Sequence, residues 1–183
     1  MKKIVWTFGL ISGAVISLMM LTTLPFEDAI GFDRGAIIGY TTMVLAFLFI
    51  YFGVRSYRDT IGKGSISFGR GLVIGTLIAV ISSACYVATW EVIYFKLSPD
   101  FTAKYQAYEL NKAKANGASQ EAIAKREAEL NKFAEMYKNP VVNAAITFIE
   151  PLPVGLVIAL VSAGVLRRRS RSQALDVAQT SMA

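Results

Sequence analysis

Apolar residues collect into four runs along this chain, at residues 4–24, 35–54, 71–95 and 141–166, with the polar residues gathered between them. Each run is long enough to cross a hydrocarbon core, which takes about 20 residues at about 1.5 Å rise per residue. Because the apolar residues lie in blocks, the pattern predicts membrane helices rather than one large soluble core. The predicted fold class is all-α: an integral membrane four-helix bundle forming a single domain over residues 1–166. A short acidic loop joins the first two spans and a basic loop joins the second and third. Residues 96–140 form an extramembrane helical hairpin between spans three and four.

Composition strengthens this picture. The 183 residues are 54% hydrophobic and only 17% charged, which departs from the soluble average in both directions. The mean hydropathy is +0.47. A net charge of +6 could suit nucleic acid, but its placement argues for membrane topology and against a nucleic-acid partner. Lys2 and Lys3 precede the first run, Arg55, Arg58, Lys63 and Arg70 fill the loop after the second, and Arg167, Arg168, Arg169 and Arg171 follow the fourth. Segment 25–34 holds Arg34 alone against Glu27, Asp28 and Asp33. Ten short-segment cations on one side against one on the other put both termini in the cytoplasm under the positive-inside rule. The 21 uncharged residues after Lys3 exceed the apolar region of a signal peptide, and Thr22-Thr23-Leu24-Pro25 is no small-residue cleavage site, so the first run reads as a retained anchor. The arginines from Arg167 to Arg171 are expected to hold anionic headgroups, worth about 1 kcal/mol per residue near the surface. Beyond them, residues 172–183 lack periodicity and read as disordered.

Small residues recur four apart in every run: Gly9, Gly13 and Ser17; Gly35 and Gly39; Gly71, Gly75, Ala79 and Ser83; Gly155, Ala159 and Ala163. In lipid the hydrophobic effect no longer drives helices together, so close backbone approach supplies the dispersion energy. These rows are read as packing faces within one bundle. A homo-oligomer would be the other use for such faces.

Two carboxylates, Glu91 and Glu150, are the charges inside the runs. The 20 uncharged residues from Gly71 to Trp90 span roughly 30 Å of helix and put Glu91 near the outer boundary. The 16 from Pro151 to Leu166 span only about 24 Å, so Glu150 falls within the apolar layer. An acid in hydrocarbon by default faces protein or water. Two readings stay open: a cation- or proton-responsive site shared by Glu91 and Glu150, or two acids in the headgroup zone bonded to Tyr94, Tyr86, Asn143 or Lys96. Pro151 and Pro153 each remove a backbone donor, freeing the carbonyls of Thr147 and Ile149, and predict a kink in the fourth helix.

In the insert, Ser98-Pro99-Asp100 reads as a helix start with the serine as N-cap. Phe101, Tyr105 and Tyr108 follow on one face, expected to pack against the partner helix. Asn116-Gly117 breaks the pattern, Ser119 caps a second helix, and Ile123, Leu130, Phe133 and Tyr137 continue it. The hairpin also offers a surface for a periplasmic protein partner. Gly62-Lys63-Gly64-Ser65 lacks the phosphate-loop spacing. The chain has no histidine; its one thiol, Cys85, falls in the third run, and a metal site would have to be all-carboxylate. No catalytic residue, cofactor or metal centre is expected.

Three segments carry a family signature: Tyr57-Arg58-Asp59 followed by Ile66-Ser67-Phe68-Gly69; Ser98-Pro99-Asp100-Phe101; and Met136-Tyr137-Lys138-Asn139-Pro140 ahead of a last span bearing Glu and Pro. The chain resembles the bacterial membrane family called domain of unknown function forty-one ninety-nine, from the first span to Leu166. The resemblance implies a four-span bacterial membrane protein and carries over no catalytic residue; the expected location is the bacterial inner membrane. The expected function is non-enzymatic, with a structural, regulatory or partner-binding role among membrane lipids. The alternative is a small oligomeric transporter or channel subunit using Glu91 and Glu150.

Overall fold

The computed structural model describes residues 1–167, and every regular element in it is helical. The elements are α1 (Lys2–Thr23), a 3₁₀ turn (Leu24–Phe26), α2 (Glu27–Thr60), α3 (Phe68–Val92) with a π-helical turn (Ile93–Leu97), α4 (Phe101–Ala115), α5 (Gln120–Tyr137), α6 (Pro140–Ile149) and α7 (Leu152–Leu166). Three helical stretches among the described residues are long and apolar enough to cross a membrane: Lys2–Thr60, Phe68–Leu97 and Pro140–Leu166. Arg167 ends α7, exposed; Arg168, Arg169, Arg171 and the remainder of the tail lie outside the described residues.

The stretch Lys2–Thr60 is folded back on itself. Pro25 has no backbone N–H to continue α1, and the chain tightens into the 3₁₀ turn Leu24–Phe26. Glu27 and Asp28 then occupy the first turn of α2, where carboxylates complement the free N–H groups. The segment expected as a loop at 25–34 is therefore largely helical. It is broken once, at Gly31, whose φ of 71° and ψ of 165° suit a residue without a Cβ. The hydroxyl of Ser12 donates to the Ala46 carbonyl at 2.9 Å, tying α1 and α2 side by side in opposite directions.

Around these, α3 touches α1, α2, α6 and α7. Phe47, Ile50 and Val54 of α2 and Ile74 and Ile78 of α3 are fully buried between them. The outward faces stay apolar, with Leu18, Ile37, Leu45, Val157, Val161 and Val165 exposed. That is the surface of a protein in contact with lipid, since soluble domains rarely expose apolar patches of this extent.

Three of the four small-residue rows make the helix contacts. A Cβ on Gly75 would come 2.8 Å from that of Ala159, and one on Gly71 3.2 Å from the Ala163 backbone, so α3 and α7 meet nearly backbone to backbone. Likewise Gly9 and Gly13 receive Ile81 and Cys85 of α3, and Thr89 donates to Ser17 at 2.7 Å. Gly35 and Gly39 depart from expectation. No atom of another helix comes within 4 Å of a Cβ built at either. The buried face of α2 begins further on, at Thr42, Met43 and Ala46, and the two glycines border a cavity instead.

Toward the other end, Tyr57 and Arg58 carbonyls accept from Gly62 and Gly64 at 2.9 Å, and Ser67 caps α3 by accepting from Arg70. The Gly62-Lys63-Gly64-Ser65 cluster is thus a helix-terminating turn.

Candidate functional site

A cavity of about 910 Å³ opens between the end of α1, the start of α2, the later turns of α3, and α4–α6. It exists because the packing rows stop short of it. Beyond Ser17 the α1–α3 contact gives way to Met19 and Met20, and on α2 the bulk-free positions Gly31, Gly35 and Gly39 leave one wall open. Trp90, Phe101, Tyr105, Phe133 and Tyr137 add aromatic surface to the lining.

Glu150 opens into this cavity. It follows α6 directly, and the helix is interrupted at Glu150-Pro151 before α7 resumes at Leu152, where Pro151 and Pro153 were expected to interfere. The Tyr86 hydroxyl donates to Glu150 Oε2 at 2.8 Å, so of the four donors foreseen, Tyr86 meets this acid. Among the described residues the ion pairs include neither Glu150 nor Glu91. The two acids have different surroundings. Glu91 is five residues beyond Tyr86, about 140° around α3, is not part of the cavity lining, and has a buried Oε1 without a hydrogen-bond partner.

Beside Glu150 runs a polar chain that sequence reading did not find. Trp90 Nε1 donates to Tyr137 at 3.1 Å, Tyr137 and Thr147 share a bond of 2.8 Å, and Thr147 donates to Asn143 Oδ1 at 3.3 Å. Since the one hydroxyl proton of Thr147 goes to Asn143, Tyr137 is the donor to Thr147. Asn143, fully buried, returns its Nδ2 proton to the Tyr137 carbonyl at 3.3 Å. Asn139 caps α6 by accepting from Val141 and Val142, and Pro140 takes the first position, where no N–H is needed. The segment Met136–Pro140 thereby fixes α5 against α6. Spacing gave no signal for this network, whose members come from three helices.

Helices α4 and α5 lie antiparallel over the cavity, joined through Gln106–Asn131 and Glu109–Arg126. Two features differ from expectation. Ser98 does not cap α4; the π-helical turn pulls its N–H onto Ile93, its hydroxyl donates to Glu27, and Asp100 takes the cap position. The aromatic row of α4 does not close on α5. Phe101, Tyr105 and Tyr108 surround Phe32 of α2, with ring centroids at 5.6, 5.4 and 5.0 Å. Lys104 pairs with Glu27 at 2.7 Å and Asp28 at 3.1 Å, and Lys112 with Asp33 at 2.8 Å. These bonds hold both lysines above their ordinary pKa and hold Asp33 below its own.

Chemically, the cavity offers one carboxylate without a cationic partner, aromatic faces, and hydroxyls already engaged with one another. Among the described residues no group of three or more His, Cys, Asp or Glu could hold a metal ion. No curated protein and no solved structure matches the chain. A family model does, over residues 7–168, and the chain belongs to the family it describes, Protein of unknown function (DUF4199).

Proposed function

We propose that the chain is a four-crossing, non-enzymatic protein of the bacterial inner membrane, with both termini in the cytoplasm, and that its role is to bind a molecule in the cavity. The crossings are α1, α2, α3 and the pair α6–α7, with the α4–α5 hairpin outside. The ten-to-one bias of short-segment cations supports the orientation. The antiparallel tie between α1 and α2 supports counting Lys2–Thr60 as two crossings. One observation carries the binding role: a cavity of about 910 Å³, within the range of small-molecule sites, with Glu150 in its wall and in no ion pair among the described residues.

Two experiments test this. In a Cys85→Ser background, Ala118→Cys in the α4–α5 turn should react with a membrane-impermeant maleimide on intact spheroplasts, and Ser65→Cys only after lysis. The reverse pattern would invert the topology. Purified protein in liposomes should retain small molecules without passing cations. A cation flux lost in Glu150→Gln would make it a transporter instead.

A further inference from the structure

We infer that the cavity takes an ammonium group carried on an apolar chain, with the cation against Glu150 and the apolar part along the glycine wall of α2. This rests on the binding reading above and names its ligand class.

The argument is one of charge and shape. At the mouth, the acids have partners: Glu27 and Asp28 share Lys104, and Asp33 has Lys112. Glu150, an exposed residue in the cavity wall, has a hydroxyl donor and, among the described residues, no cationic partner. Tyr86 satisfies hydrogen bonding at one oxygen without neutralising the charge. Arg34, which lines the cavity as Lys104 does, makes no ion pair with Glu150 among the described residues. An isolated carboxylate in a largely apolar chamber favours a ligand that brings the missing positive charge.

The walls select which kind of cation. A bare metal ion needs several oxygen ligands, and here one carboxylate stands among rings. Trp90 and Tyr137 present aromatic surface in the same chamber, and aromatic faces attract ammonium groups, Trp most strongly. Gly35 and Gly39 leave a stretch of smooth backbone in the lining, to which Met19 and Met20 also belong, and that suits an unbranched apolar chain. Lys104 and Glu27, paired at 2.7 Å, line the chamber on the side of the hairpin. The ammonium could arrive on a free amphipathic amine or on an ethanolamine headgroup, and the two are separated below.

The protein carries two tryptophans, Trp6 and Trp90. Trp6→Phe leaves Trp90, in the cavity wall, as the sole fluorescence reporter. Full-length protein in dodecyl maltoside should show a saturable change in Trp90 emission with octyltrimethylammonium and a much weaker one with octanol or octanoate. Glu150→Gln should weaken the cation by about tenfold or more, since it removes the one counter-charge the site offers. Gly39→Phe, which puts a ring into the space the glycine leaves open, should abolish the response. If doping with phosphatidylethanolamine competes while phosphatidylglycerol does not, the source is a lipid headgroup; if neither competes, it is a free amine. Octanol or octanoate binding as tightly as the cation, in a manner blocked by Gly39→Phe, would overturn the cation assignment and leave the chamber standing. That comparison needs only the wild-type acid, so it holds even if Glu150→Gln fails to fold. No saturable response to any probe would overturn both.

Discussion

Tyr86 and Glu150 stand 64 positions apart and meet through a 2.8 Å hydrogen bond across α3 and the break between α6 and α7. The pair fixes the carboxylate in the cavity wall, beside the helix interruption. Tyr86→Phe removes the donor and keeps the ring. It should lower unfolding stability by about 1 kcal/mol, read as a shift of the denaturation midpoint in detergent. An unchanged midpoint would mean that the bond contributes nothing net.

Close approach of α3 and α7 predicts a second outcome. Gly75→Val would drive side-chain atoms into Ala159 and Ile50, and overpacking of this kind costs about 1–3 kcal/mol. Gly164→Ala, with nothing within 4 Å, should be neutral in the same thermal assay. Equal effects at the two sites would contradict the packing described.

At Gly31 the outcome depends on backbone rather than space. No atom lies within 4 Å of a Cβ built there, yet φ is 71°. Gly31→Ala should cost about 1–3 kcal/mol through strain and displace Phe32 from the ring of Phe101, Tyr105 and Tyr108. Faster hydrogen exchange in α4 alone would report it. Exchange unchanged in α4 would mean that the break does not position Phe32.

Docking of the hairpin onto α2 should depend on pH at both extremes. Lys104 and Lys112 are raised above 10.5, chiefly by their bonds to Glu27 and Asp33. Their contribution is full below about pH 10 and is lost as pH climbs through the folded values. Asp33 is lowered below 3.8, chiefly by Lys112. Its contribution is full above about pH 4 and is lost as pH falls through the lowered value. The Lys112–Asp33 pair is solvent-exposed and the Lys104–Glu27 pair partly so, so salt should weaken them as well. A spin-label distance between α2 and α4 should stay constant from about pH 5 to 9 and lengthen outside that window. A distance insensitive to pH and salt would assign the docking to Phe32 alone.

Much of this was legible in the sequence, and the misses share a cause. Apolar blocks marked the long helices, Pro151 and Pro153 marked the interruption, and Asn116-Gly117 marked the turn, because each acts through its own backbone. Glu150 stood out as a charge inside an apolar run. What could not be read was which surfaces face each other. Gly35 and Gly39 repeat at the same spacing as Gly71 and Gly75, yet they line open space because the core contacts of α2 begin at Thr42. The aromatic row of α4 looked like a contact for α5, but Phe32, hidden in an apparent loop, takes that place. Trp90, Tyr137, Thr147 and Asn143 come together only in three dimensions.

Accessibility of Gly39 from outside the cell tests the central claim most directly. Gly39→Cys, in a Cys85→Ser background, adds a thiol to the cavity wall where nothing lies within 4 Å. An outward-opening, ligand-binding chamber predicts labelling by an impermeant maleimide on intact spheroplasts, slowed by octyltrimethylammonium but not by octanoate. Labelling only after lysis, or at a rate the cation leaves unchanged, would contradict it.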